Sequence, residues 1–172
     1  MYTPSALAPP LVAPGPADPA QPARCLTGNW AFAEGELEIG IWECTPGALA
    51  GPLVHEDEAM LMVAGRATVH HDGGTFDLTP GTLWCTPPQW PCRWEVHQTV
   101  RKMYVIDHRP PTAGTAAFLS NAYSVQLPEG TPRPVVISGS PVESSMSVWT
   151  HDRLDVGVWT CTPGVFPFRR DG

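Results

Sequence analysis

Glycine and proline cut this chain into pieces too short for anything but strands. The 172 residues include 21 prolines and 16 glycines. Between them lie segments rich in Val, Ile, Trp, Thr and Tyr: Glu36–Cys44, Ala59–Gly65, Arg66–Leu78, Gly81–Pro87, Arg93–His97 and Val100–Asp107. Turn signals recur roughly every 8–12 residues, the spacing of an all-β sandwich or barrel. The clearest hairpin is His70–Phe76, where Asp72-Gly73-Gly74 can take the positive φ values of a tight turn. Leu78–Gly81 reads as a further turn. No segment has a convincing amphipathic helical period. Arg109–Tyr123, broken by Pro-Pro and Gly, reads as a connector, and Leu127–Ser145 as a linker holding one brief apolar strand. The expectation is a small antiparallel β-barrel over 25–110, preceded by a disordered Pro/Ala-rich tail over 1–24 and followed by a linker over 111–147.

Charge and cysteine content narrow the function classes. A formal net charge of −7 and a pI near 5.2 argue against a nucleic-acid surface or an anionic membrane as partner. No apolar run approaches the roughly 20 residues of a membrane span. The first 24 residues carry seven prolines and no basic stretch ahead of an apolar core, so they make a poor export signal. Five cysteines, an odd number without a CxxC pair, point to free thiols in a reducing, cytoplasmic setting and away from a zinc ribbon.

The chain also repeats itself. Leu37–Gly47 reads LEIGIWECTPG and Leu154–Gly164 reads LDVGVWTCTPG, with Leu, Gly, Trp, Cys, Thr, Pro and Gly shared. Three further pairs are conservative, and only Glu43/Thr160 differs in kind.

Five pieces, in order, resemble the cupin superfamily, and within it the ureidoglycine-aminohydrolase-type group. They are Trp42–Gly47, Glu58 and Gly65 with six residues between them, Gly81 and Pro87 with five between them, Trp94, and Arg101-Lys102-x-Tyr104. The resemblance covers Asn29–Ile106 and then Val148–Gly172. It implies a jelly-roll barrel, an antiparallel double-stranded β-helix, with a solvent-reachable central cavity. It also accounts for the repeat. Residues 148–172 look like the first strands of a second cupin that stops short of its own inward glutamate. Such a stub leaves Val148, Trp149, Val156, Val158 and Trp159 without a partner face, so a homodimer formed by strand exchange is expected.

Metal-binding cupins resemble one another in a His-x-His pair, a following Glu and a third His. Here Glu58 occupies the Glu position, Gly51–Val54 occupy the His pair and Cys92 the third His. The expectation is no cofactor. Were a divalent metal to bind, its shell would come from His55, Glu58 and Cys92, with His97 as a further candidate. His55 and Glu58, three apart, point to opposite faces of an extended strand and converge only on a loop or bulge.

The metal-free candidates come from strand period. On Arg101–Ile106 the alternation puts Lys102, Tyr104 and Ile106 on one face and Arg101, Met103 and Val105 on the other. With Glu58 they place an acid, an amine and a phenol inside the barrel, suited to bind a small carboxylate or carbonyl compound or to do acid–base work. Met60, Trp90 and Trp94 are the candidate cavity wall. The plain alternative is a structural Glu58–Lys102 ion pair. Three function classes stand: a small-molecule-binding cupin with a degenerate metal site, an aminohydrolase- or isomerase-type cupin enzyme centred on Glu58, and a structural or assembly half of a two-cupin protein. Whether the protein is an enzyme is left open.

Overall fold

The computed structural model describes residues 23–32, 36–50, 56–109, 116–151 and 154–167. The expected tail, apart from Ala23 and Arg24, lies outside them. Among the described residues there are thirteen strands and no helix. They are β1 (Cys25–Phe32), β2 (Leu37–Cys44), β3 (Gly47–Ala50), β4 (Asp57–His71), β5 (Gly74–Leu78), β6 (Thr82–Thr86), β7 (Arg93–Asp107), β8 (Phe118–Asn121), β9 (Thr131–Pro132), β10 (Ser138–Gly139), β11 (Val142–His151), β12 (Leu154–Cys161) and β13 (Gly164–Val165). No helix among the described residues is long and apolar enough to cross a membrane. The chain divides into two compact units, Met1–Asn121 and Ala122–Gly172.

The first unit is one antiparallel sheet in the order β1-β2-β7-β4-β6-β8, with β3 also on β7 and β5 also on β4. Two long strands carry it. β4 and β7, fifteen residues each, pair along nearly their whole length. The outer edge of β7 takes β2 and then β3, and that of β4 takes β6 and then β5. The sequence reading breaks both long strands, at Gly65 and after His97; the structure runs through. Register shifts at Met62/Ala64, Ala64/Arg66 and Arg66/Ala67 absorb the interruptions. Bulges add local twist and bend, which lets a long pair curl without ending. Gly65 takes φ +84° there, and a Cβ on it would meet the Thr99 carbonyl oxygen at 2.1 Å.

The core is apolar, as the alternation requires. Cys44, Met62, Ala67, Val69, Leu78, Trp84 and Val100 are all but fully buried, joined by Met60, Trp94, Val96 and Tyr104. Phe118–Asn121, within the stretch expected as a linker, is the edge strand beside β6.

The second unit holds a three-stranded sheet, β12-β11-β9, and the small β10-β13 pair. Its β11–β12 hairpin repeats details of β1–β2. Thr45 N–H donates to the Arg24 carbonyl (3.0 Å) and Arg24 N–H to Thr45 Oγ1 (2.9 Å). Likewise Thr162 N–H donates to the Val142 carbonyl (2.9 Å) and Val142 N–H to Thr162 Oγ1 (2.8 Å). In both, the Cys-Thr-Pro-Gly run ends a strand through the same two bonds.

Candidate functional site

The inward faces of β4 and β7 meet at one charged pair. Register places Met62 opposite Lys102 and Met60 opposite Tyr104, with Glu58 opposite Ile106. Glu58, Met60 and Met62 are each two apart on β4, as are Lys102 and Tyr104 on β7, so all five share a face. The flanking Arg101 and Met103 are exposed, while Lys102 is 7% and Glu58 6% exposed. The Lys102 ammonium donates to Glu58 Oε1 at 2.7 Å and lies 3.4 Å from Met60 Sδ. Three rings wall it: its Nζ is 5.3 Å from the centre of Trp42, 5.5 Å from Trp94 and 5.8 Å from Tyr104. Such ring faces attract a cation, the more so out of water. A buried acid and base in this arrangement stand or fall together, because either alone would be an uncompensated charge.

Tyr104 extends the site toward the barrel edge. Its hydroxyl donates to Glu38 Oε1 at 2.7 Å. The ring fits because β2 has Gly40 opposite it: a Cβ there would lie 2.4 Å from the phenol carbon and oxygen. Burial raises the Tyr104 phenol and the Glu38 carboxylate raises it further, so it remains a proton donor well above its usual range. Burial also raises Glu38, but hydrogen bonds with Asn29, Tyr104 and His108 outweigh this and hold its carboxyl below the ordinary value. His108 joins the other side, with Nε2 3.3 Å from Glu38 Oε2 and Nδ1 3.6 Å from Glu56 Oε1. A line of polar groups thus runs from the buried phenol to an exposed imidazole.

Of the residues named from sequence, the structure brings together Glu58, Lys102, Tyr104, Met60 and Trp94. Trp90 stands one ring away. It packs edge-on against Trp84 at 5.2 Å, and Trp84 is 5.6 Å from Trp94. Trp90 also stacks with His71 at 3.9 Å, so this histidine at the hairpin is half-buried against an indole. Sequence reasoning missed Glu38, Trp42 and His108. The usable signal for Glu38 was a glycine two positions on, in a strand facing an aromatic one.

The donor set of a metal shell fits poorly here. His55 lies outside the described residues, and among those described no three His, Cys, Asp or Glu side chains converge to hold a cation. Glu58 already faces an ammonium. Burial raises the Cys92 thiol, and burial with the Glu58 charge pushes Cys85 up to about 12, so neither offers a ready thiolate. His97 is hydrogen-bonded to Thr68 instead, at 2.8 Å.

Residues 32–104 match the family of EutQ-like cupin domains. Comparison with curated proteins gives no match. Among solved structures, the chain is similar to a protein of unknown function of the DUF861 family from Pseudomonas syringae pv. tomato strain DC3000. The two are 18% identical with a TM-score of 0.64, over 92% of this chain and 66% of that one. It is also similar to the EutQ protein of Clostridium difficile (19% identity, TM-score 0.45, 50% of this chain and 69% of that one). A DUF861 family protein from Thermotoga maritima is 28% identical, with a TM-score of 0.35 over 37% of this chain and 73% of that one. The Pseudomonas match gives the fold, an all-β cupin jelly roll, and this chain spans 66% of that protein's length. The chain thus has the all-β cupin jelly-roll fold, and residues 32–104 are similar to a EutQ-like cupin domain.

Proposed function

We propose that this cupin binds a small polar carboxylate or carbonyl compound at the Glu58–Lys102–Tyr104 cluster. One observation carries the reading: an ammonium and a carboxylate, both nearly buried, lie 2.7 Å apart inside a wall of two indoles and a phenol. Of the three ammonium protons one serves Glu58, and an incoming carboxylate or carbonyl oxygen can take another. Tyr104 supplies a second donor by turning from Glu38. Nothing in this reading needs a metal or turnover.

An enzyme of the ureidoglycine-aminohydrolase type is the second reading, favoured by the Tyr104–Glu38–His108 line, which could carry a proton outward. The matched ends of the β1–β2 and β11–β12 hairpins support descent from a two-cupin ancestor. The second unit exposes Val135, Ile137, Met146, Trp159 and Val165, which supports a homodimer covering them. Multi-angle light scattering is expected to give twice the 18.6 kDa chain mass; a monodisperse monomer would remove the dimer. The five free cysteines support a reducing, cytoplasmic setting.

The test is a thermal-shift screen of the wild-type protein with small mono- and dicarboxylates, keto acids and ureides. At least one class should raise the melting temperature in a saturable way. No shift across the panel would leave the barrel a scaffold.

A further inference from the structure

Cys44 and Cys161 occupy the same place in the two copies of the repeat. The structure separates them. Cys25 on β1 and Cys44 on β2 are directly opposite in register, with sulfurs 2.6 Å apart. Thr45 N–H donates to the Arg24 carbonyl, so 24/45 is a hydrogen-bonded pair. In an antiparallel ladder the next pair, 25/44, is then non-hydrogen-bonded. At such a position opposite Cα atoms lie about 4.5 Å apart and side chains meet most closely. That separation falls inside the roughly 4.4–6.8 Å that a disulfide spans.

The second hairpin provides an internal comparison. Cys161 ends β12 as Cys44 ends β2, and each thiol lies near the carbonyl of its following threonine, at 3.4 and 3.6 Å. Opposite Cys161, however, stands Glu143, whose carboxylate accepts from the Trp159 indole N–H at 3.1 Å. A cysteine at this strand end therefore serves the turn without a second thiol opposite it; Cys25, which also packs against the core, supplies one only in the first hairpin. The two sulfurs also differ in setting. Cys44 is fully buried and Cys25 half-buried. The hydrogen bond with Cys44 holds the Cys25 thiol below its ordinary value against the effect of burial, and the Lys102 charge helps. Its partner is raised by the same bond and by burial.

We propose that Cys25 and Cys44 are a redox-active dithiol that closes to an intrachain disulfide, fastening β1 to β2 beside the Lys102 site. The oxidant class is a peroxide. Cys25 loses its proton and its sulfur attacks one peroxide oxygen; the O–O bond breaks, and the departing hydroxide takes the proton to leave as water. The Cys25 sulfenic acid is then attacked by the Cys44 sulfur. The S–O bond breaks, and the hydroxyl leaves with the Cys44 proton as a second water. The two sulfurs lose two electrons in total, and one hydrogen peroxide is reduced. This inference does not rest on the proposed ligand.

The experiment uses the full chain, reduced, freed of reductant and titrated with hydrogen peroxide. Intact mass should fall by two hydrogens, and free thiols should fall from the five of the sequence to three. A non-reducing digest should yield one peptide joining Cys25 to Cys44, and a dithiol reductant should reverse every change. The oxidised protein should melt about 5 °C or more above the reduced one, since a cross-link restrains the unfolded chain. Cys25→Ser should abolish the mass loss, and Cys161→Ser should leave it intact. Mass loss surviving Cys25→Ser, or a digest linking Cys25 to Cys92, would overturn the proposal. So would wild-type protein in which both thiols remain open to alkylation after peroxide; that result needs no variant to fold.

Discussion

Glu58 and Lys102 are each acceptable inside the barrel only because of the other. Replacing one leaves a charge without its partner, so Lys102→Met should cost about 3–5 kcal/mol in urea unfolding. Glu58→Gln with Lys102→Met should recover most of that loss; a double variant no better than the single would mean the pair is not the coupled unit described. This pair was legible in the sequence, because strand period alone puts Lys102 beside Tyr104 and the cupin resemblance turns Glu58 inward. Glu38 and Trp42 were not. Their place depends on the β2–β7 register, which sets Gly40 against Tyr104 and Trp42 against Lys102. That pairing joins residues some sixty positions apart, beyond what local alternation can encode.

The elements teach a second lesson, about breaks. Gly65 reads as the end of a strand, and the Gln98–Thr99 stretch as a gap between two. Each lies instead within a long strand, where β4 and β7 bulge against each other. Gly65 at φ +84° with the Thr99 carbonyl against its α-carbon is a place for glycine alone. Gly65→Ala should cost about 3 kcal/mol or more, combining backbone strain with a clash against main chain that cannot step aside. Circular dichroism during chemical unfolding would measure it, and a loss under about 1 kcal/mol would mean that the bend does not depend on this contact. The turn residues were visible from sequence; that a bulge would bridge them was not, because it takes two strands to define one.

At the scale of the molecule, buried protonated groups set the alkaline limit. Cys85 rises from 9.0 to about 12, and Tyr104 also titrates above its ordinary value. A raised folded value means that the native state keeps a proton the unfolded chain has lost. The stabilisation is full below pH 9 and disappears as pH climbs toward 12. The melting temperature should therefore fall steadily over that range, and less steeply in Cys85→Ala once its lower starting stability is subtracted. An unchanged slope would show that the Cys85 thiol carries none of it. Glu38, held low, works at the other end. Its share is full above its ordinary 4.5 and is lost as pH falls through its folded value. The all-β architecture was readable from the chain's punctuation, but β8, drawn into the sheet from the stretch read as a linker, was not; nor was the ligand, since no spacing of Glu, Lys and Tyr specifies what they bind.

The central claim is that the buried acid–amine pair is a binding site. Calorimetric titration of the best small acid from the thermal screen, into wild type and into Glu58→Gln/Lys102→Met, tests it most directly. A saturable, one-to-one isotherm in the wild type that weakens at least 100-fold in a folded double variant, about 2.7 kcal/mol, is the predicted result. Equal affinity in both would contradict it, and Glu58 and Lys102 would then be an ion pair that only fills the barrel.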